Sequence, residues 1–129
     1  MKNTITLATA EVCTILYFLF GVIDISLQCL LIFIVLDYIS GLIKSYCAKT
    51  LSSKVGFKGI LKKVGILAIV ALSVSLDRLA GDTGAMRTLV IYYFVANEGL
   101  SVLENLAEVG IPIPKSIKKA LKNIKKEYK

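Results

Sequence analysis

The side chains able to do chemistry in this 129-residue chain gather between positions 97 and 108. Asn97, Ser101, Glu104 and Glu108 recur every three or four residues, so a helix would carry them on one face, with Glu98 and Asn105 beside them. Val102 and Leu103 fall on the opposite side. Carboxylates, amides and a hydroxyl in that pattern can face water or ions, or can bond to neighbouring helices. Nothing about them breaks covalent bonds. The chain has no histidine, which removes the usual general base and the commonest metal ligand. Gly56 and Gly59 do not complete a nucleotide-binding fingerprint, and no serine or cysteine stands beside a plausible base. The expectation is a protein that is not an enzyme, with no cofactor and no metal.

Further acids, Glu11 and Asp37, fall at similar depth in two apolar stretches, where they could meet each other or share a lysine such as Lys44. Acidic pairs of this kind relay protons in transporters. Cys13, Cys29 and Cys47 are odd in number and lack metal-ligand spacing, so they imply neither a disulfide framework nor a metal site.

The elements that must position these groups are long and apolar. Apolar residues make up 56% of the chain and charged ones 19%, against about 25% in ordinary soluble domains. That balance favours a membrane protein. The net charge of +7 is concentrated in two places. Residues 44–63 hold Lys44, Lys49, Lys54, Lys58, Lys62 and Lys63 with no acid, and the tail from residue 110 holds seven lysines against Glu127. Both blocks suit an anionic leaflet. Nucleic acid is not expected as a partner, because no recognition motif accompanies the lysines.

A helix needs about 20 mostly apolar residues to cross the hydrocarbon. The apolar region from 5 to 43 accommodates two, with Asp24 at the turn between them, giving spans at 5–23 and 25–43. The alternative there is a single tilted span, for three in all. The N-terminus reads as retained, because the long apolar run follows the Ala8-Thr9-Ala10 triplet instead of preceding it. A basic loop at 44–61 leads to a third span at 62–81 and, after Gly81-Asp82-Thr83-Gly84, a fourth at 86–109. Ser52 or Ser53 suits the cap of the helix entering span 3. With four spans both basic blocks face the cytoplasm, as the positive-inside rule requires. The fold class is therefore all-α: an integral membrane protein with four, alternatively three, transmembrane helices and a C-terminal amphipathic helix.

Within span 3, Ala68, Ala71 and Ser75 offer a small-residue face for close helix packing, with Arg78 one turn on and able to neutralise an acid of another helix. Asp77 falls near the outer interface, where its charge costs little. The transmembrane domain, 1–109, ends where Pro112 and Pro114 stop the helix. The tail, 110–129, forms an amphipathic helix with Ile117, Leu121, Ile124 and Tyr128 on one stripe. Lys115, Lys118, Lys119, Lys122, Lys125 and Lys126 cover its other face. Such a helix can lie in the headgroup plane against anionic lipids.

Several motifs in order carry a resemblance: Leu36-Asp37-Tyr38-Ile39-Ser40-Gly41 before Val55-Gly56-Phe57-Lys58-Gly59, then Asp77-Arg78, Arg87-Thr88, Asn97-Glu98-Gly99-Leu100-Ser101 and Gly110-Ile111-Pro112-Ile113-Pro114. From about residue 25 to 121 the chain resembles the phage holins of Gram-positive bacteria and their prophages, including those encoded beside large clostridial toxins. The resemblance implies a protein that accumulates in the cytoplasmic membrane and homo-oligomerises into lesions at a set time. Such lesions collapse the membrane potential and release endolysin or toxin as cargo, without stable binding of it. The rival readings are an antiholin that sequesters a partner holin, a small ion or proton channel, and a membrane scaffold.

Overall fold

In the computed structural model all 129 residues are described, and they form five helices and no strand. These are α1 (Lys2–Phe20), α2 (Ile25–Cys47), α3 (Ser53–Leu79), α4 (Ala85–Glu108) and α5 (Lys115–Tyr128). The expected break at Asp24 is a helix boundary. Asp24 caps α2, its carboxylate accepting from Leu27 N at 3.0 Å and Ser26 Oγ at 2.9 Å. Ser52 caps α3 in the same way, accepting from Val55 N at 3.2 Å.

The basic stretch is not the loop expected over 44–61. α2 runs on to Cys47 and α3 begins at Ser53, so Lys54, Lys58, Lys62 and Lys63 are helical residues. Lysine is a good helix former, and with Ser52 available as a cap nothing in 53–61 breaks the helix. Pro114 caps α5, and the turn before it reverses the chain.

α2 and α4 form the central pair, and α3 closes against both. Leu27, Leu30 and Ile34 of α2 meet Ile66 and Val70 of α3 and Ile91 of α4 in the core. Leu30, Val70 and Ile91 are fully buried where the three helices meet. α1 packs along α3 and meets α4 at its end, where Arg87 bonds Phe20, while α5 packs on α4 without contact to α1. No residue of α1 is buried. Phe18, Ile32, Val35, Val64, Leu72 and Leu79 are among many large apolar side chains left on the outside. Water-soluble monomers rarely carry so much contiguous apolar surface. α1, α2 and α3 are each long and apolar enough to cross a membrane, by length and composition. α4 is as long, but its charged and amide side chains keep it out of that group.

The end of the bundle carrying Phe20, Ile25, Leu79 and Ala85 (the turn end) is fastened by ionic contacts to backbone. Asp77 is buried and stands at the N-terminus of α4, accepting from Met86 N and Arg87 N at 2.9 Å each. Its charge meets two otherwise orphan donors and the positive end of the helix dipole. Arg78 does not neutralise an acid. It donates to the Phe18 carbonyl and lies over the Phe18 ring at 4.7 Å, because the last carbonyls of α1 are its nearest acceptors. Arg87 donates to the carbonyls of Phe20 (2.8 Å) and Val22 (2.7 Å) and pairs with Asp24 at 2.9 Å.

The Arg87 guanidinium holds the Asp24 carboxyl at about 2, well below the usual aspartate range. A depressed carboxylate stabilises the fold above its unfolded pKa and loses that contribution as pH falls through the folded one. The clasp therefore holds from neutrality down to about pH 4, the unfolded value, and fails as pH drops toward about 2. Because α1 is tied to the bundle at its C-terminal end, Arg78→Leu combined with Arg87→Leu should release it. Spin labels at Ile5 and Val64 should then report a broadened, lengthened distance, with α2, α3 and α4 still folded. An unchanged distance would show that α1 is held by other means.

Candidate functional site

Midway along the bundle, α2, α3 and α4 each contribute one ionised side chain to a single cluster. The ammonium of Lys63 on α3 donates to Asp37 of α2 and to Glu98 of α4. All three side chains are nearly buried, at 15%, 11% and 5% exposure, and their short pairing is what makes that burial tolerable. Asn105, two turns further along α4, donates to Asp37 Oδ1 and to Ser40 Oγ, each at 3.1 Å. No buried side-chain nitrogen or oxygen is left without a partner.

Helix phase explains why these residues meet. On α3 the buried stripe is Lys63, Ile66, Val70, Ser73, Val74 and Asp77, at the three- and four-residue steps of one helix face. Lys63 belongs to that stripe, whereas its neighbour Lys62 is exposed. Asp37 lies ten residues from the end of α2 at Cys47, Lys63 ten from the start of α3 at Ser53, and Glu98 ten from the end of α4 at Glu108. Antiparallel neighbours of equal offset come level, so the three charges share one depth. At this same end (the basic end), Tyr38 of α2 fits against α3 where a Cβ on Gly59 would stand 3.2 Å from its ring. The Tyr38 hydroxyl donates to the Gly56 carbonyl at 3.4 Å. Those glycines, which carry no nucleotide motif, admit an aromatic ring.

Two polar cavities meet at the cluster. One, of about 200 Å³, is lined by Asp37, Tyr38, Lys44, Lys62, Lys63 and Asn105 and opens toward the basic end. The other, of about 460 Å³, lies between α3 and α4 and includes Asn97, Glu98 and Ser101. Ser101 borders both.

The polar face of α4 is thus divided. Glu98 and Asn105 are turned into the bundle, Asn97 and Ser101 line its cavities, and Glu104 and Glu108 are exposed, with Glu108 paired to Lys44 at 3.4 Å. Glu11 does not approach Asp37, because α1 packs along α3, and Glu11 stays exposed. On α3, Ala68 and Ser75 are exposed and Ala71 half-buried, on the side turned from the core. The tail lysines lie along α5, whose stripe residue Leu121 is buried against α4 within the chain. Spacing alone did not reveal Lys63, Ser40, Asp77 or Arg87. The apolar stripe of α3 points to the first and third, since both fall in phase with Ile66 and Val70.

Removing one member of a buried ion cluster leaves the others unpaired. Lys63→Met should destabilise the bundle by about 3–5 kcal/mol, and the triple change Asp37→Asn, Lys63→Met, Glu98→Gln should regain most of that loss. Thermal unfolding in detergent measures both, and a Lys63→Met protein as stable as the parent would show that the ammonium does not hold the helices together.

Residues 14–126 match the family model described as the bacteriophage holin family. A protein of Clostridium perfringens, known as an uncharacterized 14.9 kDa protein in the nagH 3′ region, is 46% identical over 112 residues, which cover 86% of this chain and 85% of its own. An uncharacterized protein of Listeria monocytogenes is 45% identical over 101 residues, 78% of this chain and 72% of its own. The probable holin of Bacillus phage phi105 is 32% identical over 97 residues, 75% of this chain and 71% of its own. No solved structure matches. The chain belongs to the bacteriophage holin family.

Proposed function

We propose that this chain is a holin of the bacterial cytoplasmic membrane that homo-oligomerises into lesions releasing an endolysin or a toxin. The observation that carries the reading is membership of the holin family by a bundle that leaves many large apolar side chains outside and gathers Asp37, Lys63 and Glu98 inside. In this reading four helices span the membrane. α4 joins them despite its polarity because Glu98 and Asn105 are partnered within the bundle, which lowers the cost of carrying them into lipid. The basic end, with Lys44, Lys49, Lys54 and Lys58, faces the cytoplasm.

Lesion formation requires the polar cluster to change partners. A closed bundle consumes Lys63, Asp37 and Glu98 internally. An oligomer that passes protein must instead present polar groups to water. Glu98 and Glu104 are the α4 carboxylates on which that exchange would fall first.

Controlled expression in a bacterial host tests the proposal by following culture density, membrane potential and leakage of a cytoplasmic enzyme. The expected course is a delay, then sudden depolarisation, with protein-sized leakage, or lysis once an endolysin is supplied. Glu98→Leu and Glu104→Leu should accumulate in the membrane and delay or block that event. Slow ion leakage without passage of protein would mark a channel, and silence alone with delayed lysis by a partner holin would mark an antiholin.

A further inference from the structure

α5 is held against α4 by a fit built into both helices. Leu121 sits over Gly99, where an added Cβ would lie 3.0 Å from both its methyl carbons and 3.1 Å from Phe33 of α2. A Cβ at position 99 would push these side chains aside by a few tenths of an ångström, so glycine, although it disfavours a helix interior, gives Leu121 its closest approach there. Further along, Tyr128 stacks on Tyr92 with ring centroids 5.0 Å apart. Gly99 lies nine residues from the end of α4 and Tyr92 sixteen, or about 13 Å and about 24 Å along its axis. The docked α5 therefore runs back along α4 past its middle, with Lys118, Lys119, Lys122, Lys125 and Lys126 on its outer side.

Lysines near a helix end can snorkel to the interface, but ammonium groups at mid-depth do not stay in lipid. The flank formed by α1 and the outer face of α3, which α5 does not contact, is largely apolar, with Glu11 as its exposed acid. One flank is built for lipid and the other for water. Building on the lesion reading above, we infer that α5 remains docked on α4 within the bilayer and that its lysine face forms the aqueous wall of the lesion, favouring passage of anions.

The test uses the full chain, purified and reconstituted in planar bilayers under a potassium chloride gradient. The unaltered protein should give a reversal potential of the sign set by chloride. Lys119→Glu, Lys122→Glu and Lys126→Glu together should reverse that sign, whereas Lys49→Glu, Lys54→Glu and Lys58→Glu together should not. Gly99→Leu, which expels Leu121 and frees α5, should leave conductance but abolish the selectivity. Conductance with no preference, or with a preference that the α5 triple leaves unchanged, would overturn the inference and place α5 on the leaflet surface. No conductance from the unaltered chain would overturn the lesion reading itself.

Discussion

The ammonium of Lys63 is the point on which the rest of the bundle depends. Buried, it needs opposite charge, and Asp37 and Glu98 supply it from two other helices. The arrangement adds little net stability over an apolar core of the same shape, because three desolvated ions offset most of their own attraction. What it supplies is position. α2, α3 and α4 can slide along one another over a smooth apolar interface at small cost. They cannot slide away from a shared ion without leaving charges unpaired. Asn105 reinforces the same register by holding Asp37 and Ser40 together.

From that fixed layer, order falls away toward both flanks. At the turn end the fastenings are side chain to backbone: Asp77 accepts from the first amides of α4, and Arg78 and Arg87 donate to the last carbonyls of α1. These contacts satisfy helix termini that would otherwise be orphaned. They also explain how α1 belongs to the fold with no buried residue of its own. At the other flank α5 is held by Leu121 and Tyr128 in place of ions. The core triple is therefore over-determined, while the two outer helices each depend on a few contacts near one end or one stripe.

Much of this was legible in the chain itself. Long apolar runs broken at Asp24, at the glycine turn of 81–84 and at Pro112 correctly divide it into helices, because those breaks act locally. The 3.6-residue period exposes the polar face of α4 and the stripe of α5. The partners of those faces were not legible. Lys63 stands among five other lysines of similar spacing, and composition reads them as one basic loop. It differs from them only in lying on the stripe of Ile66 and Val70. Asp77 and Arg78 are adjacent in sequence yet serve α4 and α1 respectively, because neighbouring helical residues point about 100° apart. Such pairings are set by how helices rotate against each other, which no single helix encodes.

A molecule with one apolar flank and one basic flank has few ways to sit in a bilayer. As a single copy it leaves the lysines of α5 in hydrocarbon or pulls α5 off Gly99. In the proposed lesion a ring of copies would resolve both demands, each turning α1 and α3 outward to lipid and α5 inward to water. Closed rings of that kind use one heterologous interface repeated until the rotation completes. The ring also bears on the ion layer. A growing lumen brings water to the cavities beside Lys63, and hydrated carboxylates no longer need that ammonium. The contact that fixes the closed register would thus weaken as the assembly opens, so opening would reinforce itself.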